Sequence, residues 1–112
     1  MTVVALVGDL ITASRIASVA ERERVPFSRI DSPDQLPTDA DVLLVVDWGA
    51  READWGQRIL EWSAARPASQ CLLFGPHVDR QGHADARGLG LGPVVARSAV
   101  VQKITDLVSG RR

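Results

Sequence analysis

Aliphatic runs and helical stripes alternate along this chain. Val3 to Val7 is a short β-branched and aliphatic run closed by Gly8-Asp9, the pattern of a strand buried on both faces. Residues 11–23 carry Ile16, Val19 and Ala20 at helical spacing, with charges gathered at the far end, which predicts an amphipathic helix. Val25, Phe27 and Ile30 alternate with Pro26, Ser28 and Arg29. That alternation predicts a half-exposed edge strand, because proline cannot donate to a ladder. In residues 32–37 Ser32 can cap, Pro33 suits a first helical position and Pro37 stops the turn, so at most one helical turn fits.

The alternation continues to the end. Val42 to Val46 is a second fully buried strand and runs straight into Asp47. Residues 51–65 place Trp55, Ile59 and Trp62 on one stripe of a helix that Pro67 terminates. Cys71 to Phe74 is a third buried strand, followed by Gly75-Pro76-His77. Asp79 caps a short helix through Ala84, Ala86 and Arg87, ended by the glycines at 88 and 90. Pro93 opens a strand through Val94, Val95 and Ala96, and Val100, Ile104, Leu107 and Val108 mark a last helix that stops at Gly110. Strand and helix thus alternate five times with a shortened second helix. Doubly buried strands in alternation with helices predict a three-layer α/β domain, a mostly parallel sheet covered on both sides. Five units in this length suit the flavodoxin-like (βα)5 arrangement with strand order 2-1-3-4-5. A small open α/β sheet of another strand order is the alternative. No linker or repeat interrupts the pattern, so residues 1–112 read as a single domain.

Charge narrows the function classes. A formal net charge of −1 lacks the basic excess of a nucleic-acid footprint. Arg111 and Arg112 read as a chain end, not a patch. The single cysteine, Cys71, cannot form an internal disulfide, which suits a reducing cytoplasm. The first residues have no basic leader and break at Gly8-Asp9, unlike a signal peptide. No apolar run approaches the length of a membrane span. A cytoplasmic protein, monomer or homodimer, is the expectation.

The chemistry collects at the strand ends. In an open parallel sheet, ligands sit outside the carboxyl ends of the strands, near the point where the strand order reverses. With order 2-1-3-4-5 that point lies between strands one and three, which end at Asp9 and Asp47. Strand four ends at Gly75 with His77 close behind, and strand five ends at Arg97-Ser98. Two carboxylates a few ångströms apart repel unless a hard cation such as Mg²⁺, a guanidinium or a proton relieves them. Asp9 and Asp47 therefore either share a metal or pair with Arg97, whose charge is permanent and whose fork is rigid.

Here the residues resemble a family. VGDL, LLVVDWG, LLFGPH and VVARS stand where the receiver domain of two-component response regulators carries its site, and the resemblance spans nearly the whole chain. It implies a bacterial signalling module. Asp47, followed by Trp48, corresponds to the phosphoacceptor, and Asp9 to the second member of the acidic pair that holds Mg²⁺. The departures imply a loss of activity. Gly8 stands where the first acidic residue belongs, and Gly75 replaces the hydroxyl that contacts the phosphoryl group. Arg97 replaces the lysine and Ser98 the proline after it. Gly49-Ala50 replaces the usual Met-Pro, and the absence of tyrosine removes the aromatic switch. Phosphoryl transfer is mainly charge neutralisation and positioning, so these losses together predict a pseudo-receiver, a non-enzymatic module that binds a protein partner and needs no cofactor. Its docking face would be the fourth helix with the last strand and helix, or the tryptophan-bearing helix. With no output domain in view, output is expected from a separate chain. Two alternatives stand beside it. One is a weakly active response regulator phosphorylated on Asp47 with Mg²⁺. The other is a binder of a small anionic ligand at the rim formed by Gly8, Trp48, Gly75, His77, Arg97 and Ser98.

Other features carry less. His77 reads as a ligand-binding imidazole, a pH-sensitive hinge or a loop residue packed on Trp48, and His83 as solvent-facing. One cysteine and two histidines at unrelated spacings do not make a zinc site. Trp55 and Trp62 form either a core stripe or an exposed aromatic interface. The glycines at 88, 90 and 92 follow a helix and precede a strand, the reverse of a phosphate-binding loop, and predict a cap and tight turn.

Overall fold

A computed structural model describes residues 1–110; Arg111 and Arg112 lie outside the described residues. Five strands form one parallel sheet in the order β2-β1-β3-β4-β5. They are β1 Thr2–Leu6, β2 Phe27–Ile30, β3 Val42–Asp47, β4 Gln70–Phe74 and β5 Val94–Val95. Three helices lie between strands, α1 Leu10–Arg22, α2 Trp55–Ala64 and α3 Arg80–Gly88, and a fourth, α4 Val100–Ser109, follows β5. The architecture is flavodoxin-like.

Side-chain alternation on the strands divides the core into two layers. Val3, Ala5, Leu43, Val45, Leu72 and Phe74 face Ile16 and Val19 of α1 and Val100 and Ile104 of α4. Val4, Leu6, Leu44, Val46 and Leu73 face the other way, onto Trp55, Ile59 and Trp62 of α2 and Ala86 of α3. β1 and β3 are apolar on both faces because both faces are covered. β2 lies at one edge, and the Pro26 carbonyl just before it accepts the Val3 N–H at 2.9 Å.

The short link after β2 follows the pattern in the sequence, and the fifth strand falls short of it. Where a second α-helix would lie, a single 3-10 turn, Pro33–Gln35, links β2 to β3, with Ser32 as its cap. The fifth strand pairs over only Val94 and Val95, and Ala96 already leaves it. The turn between α3 and β5 needs its glycines: Gly90 and Gly92 have φ of +71° and +95°.

Arg24 closes α1 with φ of +60°, a left-handed conformation that crowds the Cβ of an L-residue. Its N–H donates to the Glu21 carbonyl and the next N–H, of Val25, to the Ala20 carbonyl, so the helix end needs that conformation. Arg24→Gly is expected to stabilise the fold by about 0.5–1 kcal/mol in urea unfolding. A destabilised variant would contradict this reading of the cap.

Candidate functional site: the carboxylate rim

Register sets the rim. Leu6 pairs with Val46 and Asp47 with Phe74, so β1, β3 and β4 end level with one another. Asp9 follows β1 and caps α1, accepting the Ile11 N–H at 3.0 Å. Asp47 ends β3 and is only 6% exposed. A carboxylate so buried needs a partner. Arg97, in the 3-10 turn between β5 and α4, supplies it. Its side chain crosses the Phe74 ring, with the guanidinium carbon 5.0 Å from the ring centroid. One nitrogen lies 3.1 Å from Asp9 Oδ2 and the other 3.4 Å from Asp47 Oδ2. The first also donates to the Thr12 hydroxyl at 2.8 Å, and that hydroxyl donates to Asp9 Oδ2 at 2.6 Å. Asp9, Thr12 and Arg97 close a triangle whose fourth contact is Asp47.

The Asp9 carboxyl is held below the ordinary carboxylate range. The Thr12 hydroxyl is the largest cause, partial desolvation opposes it, and the Ile11 and Thr12 amides and the Arg97 charge add to it. Thr12 was not singled out from the sequence. Its signal was there: a hydroxyl three residues after a capping aspartate returns to the same helix end.

The other rim residues diverge. Gly8 is exposed, and a Cβ there would meet nothing within 4 Å. Gly75 is enclosed: a Cβ would lie 3.2 Å from the Gly49 nitrogen, and one on Gly49 would lie 2.9 Å from the Pro76 ring. The turn after β3 therefore packs backbone against backbone on the end of β4, where the resemblance expects a hydroxyl. His77 is exposed and, among the described residues, forms no hydrogen bond or ion pair. Ser98 lies off the rim, beside Arg15 in a groove between α1 and α4. His83 is not solvent-facing but half-buried, with Nε2 3.2 Å from the Pro76 carbonyl oxygen.

The tryptophans turn inward, so Trp55 and Trp62 present no aromatic stripe outside. Both are 8% exposed, and their indole N–H groups donate to Glu52 and to the Pro37 carbonyl. Trp48 lies beneath the rim and donates to the Gly82 carbonyl at 2.7 Å. Arg51 stacks on its ring at 5.0 Å and pairs with Asp79 at 3.3 Å and Asp85 at 3.0 Å. The Asp79 carboxyl is lowered first by the Gly82 N–H and then by Arg51. This clamp, which sequence reading missed, ties the loop after β3 to the start of α3. Its members are nearly thirty residues or more apart in the chain, so no local spacing announced it. Burial pushes the Cys71 thiol up to about 11, so it stays protonated near neutral pH and is no nucleophile. Among the described residues, no group of three or more His, Cys, Asp or Glu gathers to hold a metal ion.

The fold is similar to that of a protein from Burkholderia pseudomallei described as pilus assembly-related. The TM-score is 0.67 at 20% identity, over 96% of this chain and 88% of that one. At that identity the likeness carries the fold alone. No protein-family model matches the chain, and no curated protein matches it.

Arg97→Ala leaves a buried and an exposed carboxylate facing each other without a cation. Because Arg97 is half exposed, the expected loss near neutral pH is about 1–2 kcal/mol, short of a fully buried pair. The Asp9 carboxylate, held low in the folded state, stabilises it above the ordinary carboxylate range, and that contribution fades as pH falls through the lowered value. The gap between wild type and Arg97→Ala should therefore narrow on acidification. A gap that is absent, or constant with pH, would contradict the pairing.

Proposed function

We propose that this chain is a non-catalytic, receiver-like module that docks onto a protein partner in bacterial signalling or regulation and is not phosphorylated on Asp47. The observation that carries the reading is the Arg97 fork across Asp9 and Asp47. A phosphoacceptor carboxylate must meet Mg²⁺ and an incoming phosphoryl group. Here its free side meets a permanent cation that is already shared with Asp9.

The donor set does not fit Mg²⁺. That ion demands near-octahedral oxygen ligands and usually leans on carboxylates, and a guanidinium within 3.1 and 3.4 Å of both acids repels it. The close approach of Gly49 to Gly75 supports the same reading, since it fills the place of a phosphoryl-sensing hydroxyl. So does the Arg51 clamp, because a loop tied to α3 by two ion pairs and an indole hydrogen bond resists the rearrangement that a phosphorylation switch requires.

Docking is supported by the three large apolar side chains that stand out into solvent, Leu10, Ile11 and Val78, at 68%, 70% and 74% exposure. All follow strand ends on the same rim. Leu10 and Ile11 open α1 and Val78 stands on the loop after β4, and apolar groups so placed at the rim of a rigid scaffold suit recognition. The pilus-assembly connection of the Burkholderia neighbour is compatible with a bacterial assembly or regulatory setting. No helix among the described residues is long and apolar enough to cross a membrane.

The test is intact-mass measurement after incubation with acetyl phosphate and Mg²⁺. The expected spectrum shows unmodified protein. A single phosphoryl adduct that disappears in Asp47→Ala would overturn the proposal and establish the active response regulator in its place.

A further inference from the structure

Ile11, Arg15, Ser18 and Arg22 recur at i, i+4, i+7 and i+11 along α1, which puts them on one stripe of the helix. The stripe borders a groove of about 360 Å³ between α1 and α4. Three arginines, Arg15, Arg22 and Arg97, line that groove, and no carboxylate does. Its apolar part is Val101, half-buried, over Val19 and Val100, which are buried in the core beneath it. We infer that this groove binds an extended acidic segment of a protein partner, carboxylates on the arginines and an apolar side chain against Val101. The inference rests on the docking reading above and gives it a surface and a partner chemistry.

The arginines are not equally available, and their order matters. Arg15 is exposed and forms no hydrogen bond or ion pair among the described residues. Arg22 is held over the groove by donating to the Thr105 hydroxyl at 3.1 Å, and among the described residues its ion pair is a long 3.8 Å contact with Glu23. Arg97 closes the rim end, its fork turned to Asp9 and Asp47. Arg15 is therefore the cation free to meet an anion, and Arg22, already tied to Thr105 and Glu23, can share its charge with one.

Seven residues of helix separate them, about 10 Å along the axis, which about three residues of extended peptide cover. At the rim end the stripe begins at exposed Ile11, a second apolar foothold. The protein as a whole carries a net charge of −1, so attraction of an acidic partner must be local to this face. Half-buried Val101 and exposed Ile11 favour a peptide over a nucleic acid, whose phosphates would leave them unused.

Fluorescence anisotropy with a fluorescein-labelled Glu/Leu peptide tests the groove. The full chain should bind it saturably, more weakly at high salt, with amide NMR shifts concentrated at Arg15, Ser18, Arg22 and Ser98. The Arg15→Glu/Arg22→Glu variant should bind roughly tenfold more weakly or worse. Lys103→Glu, off the groove, should bind as wild type. If the double variant melts early, Arg15→Ala alone serves, since Arg15 gives up no internal contact. No saturable binding, binding that survives the arginine changes, shifts confined elsewhere, or tighter binding of single-stranded DNA would overturn the inference. Acetyl phosphate treatment of the same preparation keeps the two readings separable: an Asp47 adduct sinks the non-catalytic reading, and loss of peptide binding sinks the groove.

Discussion

Two carboxylates at neighbouring strand ends, one of them almost wholly buried, set the constraint on this molecule. The strand order reverses between β1 and β3, and that reversal brings Asp9 and Asp47 to the same lip of the sheet. Neither sign of solution is free: a metal must be recruited, a proton taken up, or a cation built in. This chain builds the cation in. Arg97 reaches from beyond β5, across the aromatic face of Phe74, and sets one nitrogen toward each acid. The reach uses the length of arginine and the fork uses its planarity, neither of which a point-charge ammonium reproduces. Thr12 completes the arrangement by receiving from Arg97 and giving to Asp9.

A rim satisfied from within has mechanical as well as chemical consequences. On the other side of Asp47, the loop after β3 is held down twice, by the backbone contact of Gly49 with Gly75 and by the Arg51 clamp onto Asp79 and Asp85. Trp48 lies between these two fastenings, and its N–H is spent on the Gly82 carbonyl. The segments that would move in a switch are therefore the ones most tied to each other. A surface held in one shape suits constant recognition, and Arg15 on α1, which forms no hydrogen bond or ion pair among the described residues, lies outside this network.

Much of the fold was legible because burial on both faces leaves a plain trace. The runs Val3–Val7 and Val42–Val46 supply β1, which ends at Leu6, and β3, because only a doubly covered parallel strand tolerates such continuous aliphatics. The link at 32–37 was legible as too short for a helix, since two prolines bracket it. β5 was read one residue too long, because edge pairing depends on how many partners β4 still offers. For the site, topology sufficed to bring residues 9, 47 and 97 together without contact information. Periodicity could place Trp55 and Trp62 on one face yet could not say which face turned inward; the burial against Val46 and Leu44 decides it. The Arg51 clamp and the Gly49–Gly75 contact were invisible, since both join segments distant in the chain and neither has a residue pattern of its own.

The account stands or falls on Arg97 occupying the place of a metal between Asp9 and Asp47. Titrating Mg²⁺ into the labelled protein while following the amide resonances of Gly8, Asp9, Asp47 and Trp48 measures this directly. The wild type should show no saturable shift at those positions, and Arg97→Ala should show one once the guanidinium is gone. A saturable Mg²⁺ shift at Asp9 and Asp47 in the wild type would contradict the account.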